Sequence, residues 1–85
     1  MMFMTLIKFR KKAKDVVEVG NKVMQNLPAG VRIIGTYWTL GRFDSVWIYE
    51  APSEKEAIKL GISVGEVAQT QTLVAVPRNE ALKLL

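Results

Sequence analysis

The chain has 85 residues, enough for one domain, and contains neither cysteine nor histidine. These absences exclude disulfides and remove the commonest zinc ligands, the usual soft nucleophile and the usual general base near neutral pH. The formal net charge is +4, but five of the 12 basic residues lie in one run, Lys8, Arg10, Lys11, Lys12 and Lys14; the remaining seven face 8 acidic residues.

A domain this small leaves much of its surface wet and needs a further source of stability. With disulfides excluded and the acids too scattered to hold a metal, pairing with a second copy is the expected one. No metal and no cofactor are expected. Met1 to Ile7 is apolar but short, and its positive charges follow rather than precede it, unlike a secretory signal. No apolar run approaches the roughly 20 residues needed to span a bilayer. The expectation is a cytoplasmic protein with no membrane contact.

Met2 to Phe9 is apolar and aromatic and predicts a strand, with the basic run as a turn after it. Val16, Val19, Val23, Met24 and Leu27 then recur at helical spacing, until Pro28 and Gly30 stop the helix. Val31 to Leu40 is β-branched and aromatic and predicts the second strand. Gly41-Arg42 suits a tight two-residue hairpin turn, and Phe43 to Ala51 returns as the third strand. Ser53 and Glu56 form a capping box, in which Ser53 caps the amide three residues on and Glu56 reaches back to the Ser53 amide. Ala57, Ile58, Leu60, Ile62 and Val64 carry the apolar side of that helix, and Gly65 ends it. Gly61 inside it costs about 1 kcal/mol against Ala unless another backbone packs close. Val67 to Val76 predicts the fourth strand, Pro77 breaks it, and Asn79 to Leu85 predicts a short terminal helix.

The order β-α-β-β-α-β is that of an α+β, ferredoxin-like sandwich: a four-stranded antiparallel sheet with two helices on one face, as one domain over residues 1–85. A turn at Gly41-Arg42 pairs Leu40 with Phe43, Trp38 with Ser45, Thr36 with Trp47 and Ile34 with Tyr49, all on one face. Ile33, Gly35, Tyr37, Val46 and Ile48 share the other. Both faces are therefore apolar, and the helices cover only one. Which one they take does not follow from the alternation. If the face with Trp38, Phe43, Trp47 and Tyr49 stays open, it forms an apolar patch on the order of several hundred Å2 that monomers rarely tolerate. A two-fold homodimer, with higher oligomers as an extension, is the expected solution.

Three segments, Tyr37-Trp38-Thr39-Leu40-Gly41-Arg42-Phe43-Asp44, Glu50-Ala51-Pro52 and Thr70-Gln71-Thr72-Leu73-Val74-Ala75, resemble the GYD domain family. The likeness runs from about Gly35 to Ala75. It implies a ferredoxin-like fold and a dimeric α+β barrel, in which two sheets face each other across the dimer. The family has no settled biochemical function. Its signature Gly, Tyr and Asp fall on Gly41, Phe43 and Asp44, so the signature tyrosine hydroxyl is missing here. The first half departs more: a Gln-Gly turn usual in the family is replaced by the lysine-arginine run.

Three functional readings follow. A small organic ligand would lie in the groove between sheet and helices, with Tyr37, Arg42 and Asp44 as its polar end and aromatics as walls. The competing reading makes Trp38, Phe43, Trp47 and Tyr49 dimer core, and the sequence favours it. Asp44 likewise reads either as a general base or as a side chain bonding local amides near the turn. Glu50 lies about six residues away along the hairpin, roughly 20 Å, and forms no catalytic pair with it. A cofactor-independent enzyme of the barrel monooxygenase or isomerase kind is the second reading, and would need Asp44, Arg42 or Tyr37 at its substrate. The third is anion or nucleic-acid binding through Lys8, Arg10, Lys11, Lys12 and Lys14, although a solvated turn is the commoner use of such a run. An RNA-recognition sheet is a poorer fit, since Ser45 stands where a stacking aromatic belongs.

Overall fold

The computed structural model describes every residue from Met1 to Leu85. The elements are β1 (Met2–Phe9), α1 (Ala13–Gln25), β2 (Arg32–Trp38), β3 (Ser45–Glu50), α2 (Glu54–Ser63), β4 (Ala68–Ala75) and α3 (Arg78–Ala81), the last followed by a 3-10 turn at Leu82–Leu84. The four strands form one sheet in the order β2-β3-β1-β4, and every adjacent pair is antiparallel. This is the expected ferredoxin-like α+β fold. No helix is long and apolar enough to cross a membrane.

The pleat decides which side chains meet the helices. On β1 they are Phe3, Thr5 and Ile7, all buried. The ladder sets Tyr49, Trp47 and Ser45 of β3 opposite these three, on the same face. Phe3 and Tyr49 stack at 5.7 Å and join Val23 of α1 and Ala57, Leu60 and Val64 at α2 in the main core. The fully buried Tyr49 hydroxyl is satisfied by Thr5 Oγ1 at 2.9 Å, which also contacts Thr72 Oγ1 at 3.0 Å. A polar pair inside the core is thus closed by a third hydroxyl from the edge strand, as a low-dielectric interior requires.

The helices therefore take the tryptophan-tyrosine face. This corrects the assignment of Trp47 and Tyr49 to an open dimer face: Tyr49 is 0% exposed in the single chain. The open face carries Met2, Met4 and Leu6 from β1, Val46 and Ile48 from β3, Tyr37 and Gly35 from β2, and Leu73 from β4. It remains apolar at its centre, because both strand phases in this sequence are apolar. The Tyr37 side chain lies along the sheet over Gly35, where an added Cβ would stand 2.7 Å from its hydroxyl.

A bulge between Ile33 and Gly35 shifts the hairpin register. Ile33, not Ile34, sits opposite Tyr49 and packs on the core, while Ile34 is the unpaired extra residue and is exposed. Glu50 consequently faces Arg32 rather than Ile33, and the two make an ion pair at 3.0 Å. Both partners are exposed, so its stabilising effect is small. The expected two-residue turn is a wider loop. Regular pairing stops at Trp38 and Ser45, and Gly41 adopts φ +100, a left-handed conformation that favours glycine.

On α2 the buried residues are Ala57, Leu60 and Val64 just beyond its end, whereas Ile58 and Ile62 are exposed. Positions 57, 60 and 64 share one helical face, and 58 and 62 are turned roughly 150° from it. Gly61 has no close backbone neighbour to explain it, since a Cβ there would meet Thr70 Oγ1 at an ordinary 3.5 Å. The helix entry differs from the expected box. Ser53 Oγ accepts from the Lys55 amide at 3.3 Å, two residues on, and its hydroxyl donates to the Glu56 carboxylate.

That hydroxyl, before the backbone of Glu56 itself, holds the Glu56 carboxyl below its ordinary 4.5, against the small opposing effect of desolvation. A group whose folded pKa is depressed stabilises the fold above its unfolded pKa and ceases to do so as pH falls through the folded value. Ser53→Ala is expected to cost about 1 kcal/mol at neutral pH, read as a lower urea midpoint with unchanged slope. The gap between variant and wild type is expected to narrow as the pH is taken below the carboxylate range.

Candidate functional site

Under α1, near the loop end of the β2–β3 hairpin, the two layers leave a cavity of about 140 Å3 lined by 13 residues. Its inner walls are Ile7, Trp47 and Ser45 from the sheet and Gly20 and Val16 from α1. Gly20 brings the helix close to Trp47, with a built Cβ only 3.5 Å from the indole. The rim is Val17, Met24 and Trp38, all exposed, so the cavity opens between α1 and the edge strand β2. Phe9 meets Trp38 edge to face at 5.7 Å and 78°, which holds the indole across the mouth. The edge position of β2 explains the opening: α1 overlies the sheet centre and leaves the end of the last strand uncovered.

Polar atoms in the lining come from Ser45, Thr36 and Asn21, and no side chain there is ionisable. The cavity can exclude water from a ligand and offer it hydroxyl and amide partners. It holds no group to move a proton or bear a negative charge, and no cluster of acidic residues elsewhere could hold a metal ion.

The residues singled out in the sequence are dispersed. Tyr37 is on the opposite face of the sheet, beside Val46. Arg42 lies in the β2–β3 loop with its guanidinium 5.9 Å from the centre of the Phe43 ring. Neither they nor Asp44 line the cavity. Trp38 and Trp47 do, Tyr49 is core, and Phe43 stays in the loop. Of the residues singled out in the sequence for a ligand groove, Trp38 and Trp47 line this cavity, and Tyr37, Arg42, Phe43, Asp44 and Tyr49 do not.

Asp44 has a different task. Its carboxylate Oδ2 accepts from the Phe9 amide at 2.8 Å, and its own amide donates to the Ile7 carbonyl at 2.8 Å. The β1–β3 ladder ends at Ile7 and Ser45, so without this side chain the Phe9 amide would have no partner. The bonds reach an amide and a carbonyl distant in sequence, a long-range version of the turn-stabilising role.

The basic run does not form one patch. Lys8 points from the open face of the sheet, Arg10 Nη1 donates to the Gly65 carbonyl at 3.3 Å, and Lys12 and Lys14 begin α1 on the other face. The turn thus carries its charges around the sheet end. Lys12 gives α1 no side-chain cap, and the first-turn acid is Asp15. Phe9, Ser45, Val17, Asn21 and Met24 were not anticipated at the site. Phe9 had a signal, an aromatic closing an apolar strand just before a charged turn; the others have none without the tertiary fold.

The family model of the GYD domain matches residues 4–85. The chain belongs to the GYD domain family. The match extends beyond the likeness in the second half of the sequence and takes in α1, despite the lysine-arginine run before it. No curated protein matches the chain. Within this GYD domain Asp44 ties the hairpin loop to β1, and the Arg42 guanidinium lies against the neighbouring Phe43 ring.

Removal of the Asp44 carboxylate leaves a half-buried amide without its charged acceptor. Asp44→Ala is expected to lower stability by about 1.5–3 kcal/mol. Asp44→Asn, which keeps an acceptor oxygen, is expected to lose less than half of that. Urea denaturation of both variants checks the order.

Proposed function

We propose that this GYD domain works as a homodimer that binds a small, uncharged, ring-sized organic molecule in the cavity under α1. The observation that carries the reading is the cavity itself: about 140 Å3, with Phe9, Trp38 and Trp47 in the lining and an opening beside the edge strand β2. A dry apolar cavity of about 150 Å3 is enough to take up benzene. The lack of any ionisable group in the lining supports binding over turnover. The enzyme reading would need Asp44, Arg42 or Tyr37 there, and each lies elsewhere.

A ligand of about eight non-hydrogen atoms binds such a site with a Kd on the order of millimolar. Benzyl alcohol is expected to give saturable shifts of the Trp38 and Trp47 indole N–H resonances. Val17→Trp, placed at the rim, is expected to abolish them. Shifts that remain linear with concentration, or that survive in the variant, would refute the cavity as the binding site.

The dimer half of the proposal rests on the open sheet face. Met4, Leu6, Val46 and Ile48 lie across the two central strands, flanked by Met2, Tyr37 and Leu73, with no helix to cover them. A second copy supplies the matching apolar surface by two-fold symmetry, since the same patch serves both sides. Light scattering on a sizing column is expected to give twice the chain mass, and Ile48→Lys to give the mass of one chain. A wild type that runs as a single chain would remove the dimer from the proposal.

A further inference from the structure

We propose that Lys8, Arg42, Gln69 and Gln71 form a binding site for an oxyanion, a carboxylate or phosphate group, on the open face of the sheet. They line a concavity of about 350 Å3 together with Phe43 and Thr70. It is separate from the cavity under α1 and is complete within one chain.

Four features converge. The strand register places Lys8 directly opposite Gln69, and Gln71 follows Gln69 on the same face of β4. The β2–β3 loop brings Arg42 over this end of the sheet, because Asp44 fastens the loop to Ile7 and Phe9. The guanidinium is backed by the Phe43 ring, which restricts its orientation. Finally, the lining holds two cations and no carboxylate.

None of the four side chains makes a hydrogen bond or an ion pair within the chain. The one ion pair of the chain is Arg32 with Glu50, at the other end of the sheet. No hydrogen bond within the chain uses the side chain of Lys8, Arg42, Gln69 or Gln71. Asp44, two residues on, has its carboxylate directed to the Phe9 amide and makes no ion pair with Arg42.

The position of Lys8 supports a ligand over simple solubility. It continues the apolar column Met2, Met4 and Leu6 on β1, which is flanked by strands on both sides. Charges that serve solubility are commoner on edge strands and turns. A guanidinium, an ammonium and two amides provide several N–H donors, the complement of an oxyanion.

The test is a 15N NMR titration with inorganic phosphate, and in parallel with acetate, each at constant ionic strength balanced with chloride. The expected result is saturable shifts at Lys8, Arg42, Phe43 and Gln69 to Gln71 with at least one anion; the tighter one identifies the source. Arg42→Gln is expected to weaken binding about tenfold or more, whereas Lys12→Gln, at the start of α1, leaves it unchanged. Shifts that do not saturate with either anion, that persist equally in Arg42→Gln, or that centre on Lys11 to Lys14 would each overturn the proposal.

Discussion

At the end of β1 the neighbouring strand β3 no longer supplies a backbone acceptor, and the carboxylate of Asp44 takes its place against the Phe9 amide. The reciprocal bond from the Asp44 amide to Ile7 makes the attachment two-pronged. Both sides of the sheet depend on it. On the helix side, fixing Phe9 fixes the edge-to-face partner of Trp38 and with it the mouth of the cavity. On the open side, fixing residue 44 fixes the loop that holds Arg42 over Lys8 and the two glutamines. A side chain that reads as a candidate general base is here a substitute for a missing rung of sheet.

The sheet separates two chemistries by parity. Residues of one phase meet the helices and form a mainly apolar interior, in which the buried Thr5 and Tyr49 hydroxyls satisfy each other and Ser45 is the other buried polar side chain. Residues of the other phase include every charged side chain carried by the central strands, Lys8 and Glu50. A cavity on the first side suits an uncharged ligand, because moving a charge there would forfeit hydration with no counter-charge in reach. A site on the second side can hold an anion, because its donors already face solvent and no carboxylate competes.

Dimerisation would act on the second side alone. The apolar centre of the open face and the basic end at Lys8 and Arg42 lie on one surface, so covering the first brings the second to the edge of an interface. The cost of taking Lys8 out of water falls if an anion accompanies it. Oligomeric state and anion occupancy are then linked through one face, while the cavity under α1 stays on the far side of the sheet.

The order of elements was legible in the sequence because each carries its own period: apolar runs in β1 to β4, the 3.6-residue stripe of α1, and the Ser53 entry to α2. That both faces of the sheet are apolar was legible for the same reason. Which of them the helices cover was not, since Met2, Met4 and Leu6 alternate with Phe3, Thr5 and Ile7, and either phase could meet the helices. A crossover rule fixes the side on which helices lie, not the phase of the pleat beneath them. Two adjacent isoleucines, Ile33 and Ile34, hid the bulge that sends the first inward and sets Arg32 against Glu50. Local sequence determined the strands and helices; only the tertiary pairing decided the faces. Side-chain direction depends on register, and register is set by contacts between residues far apart in the chain.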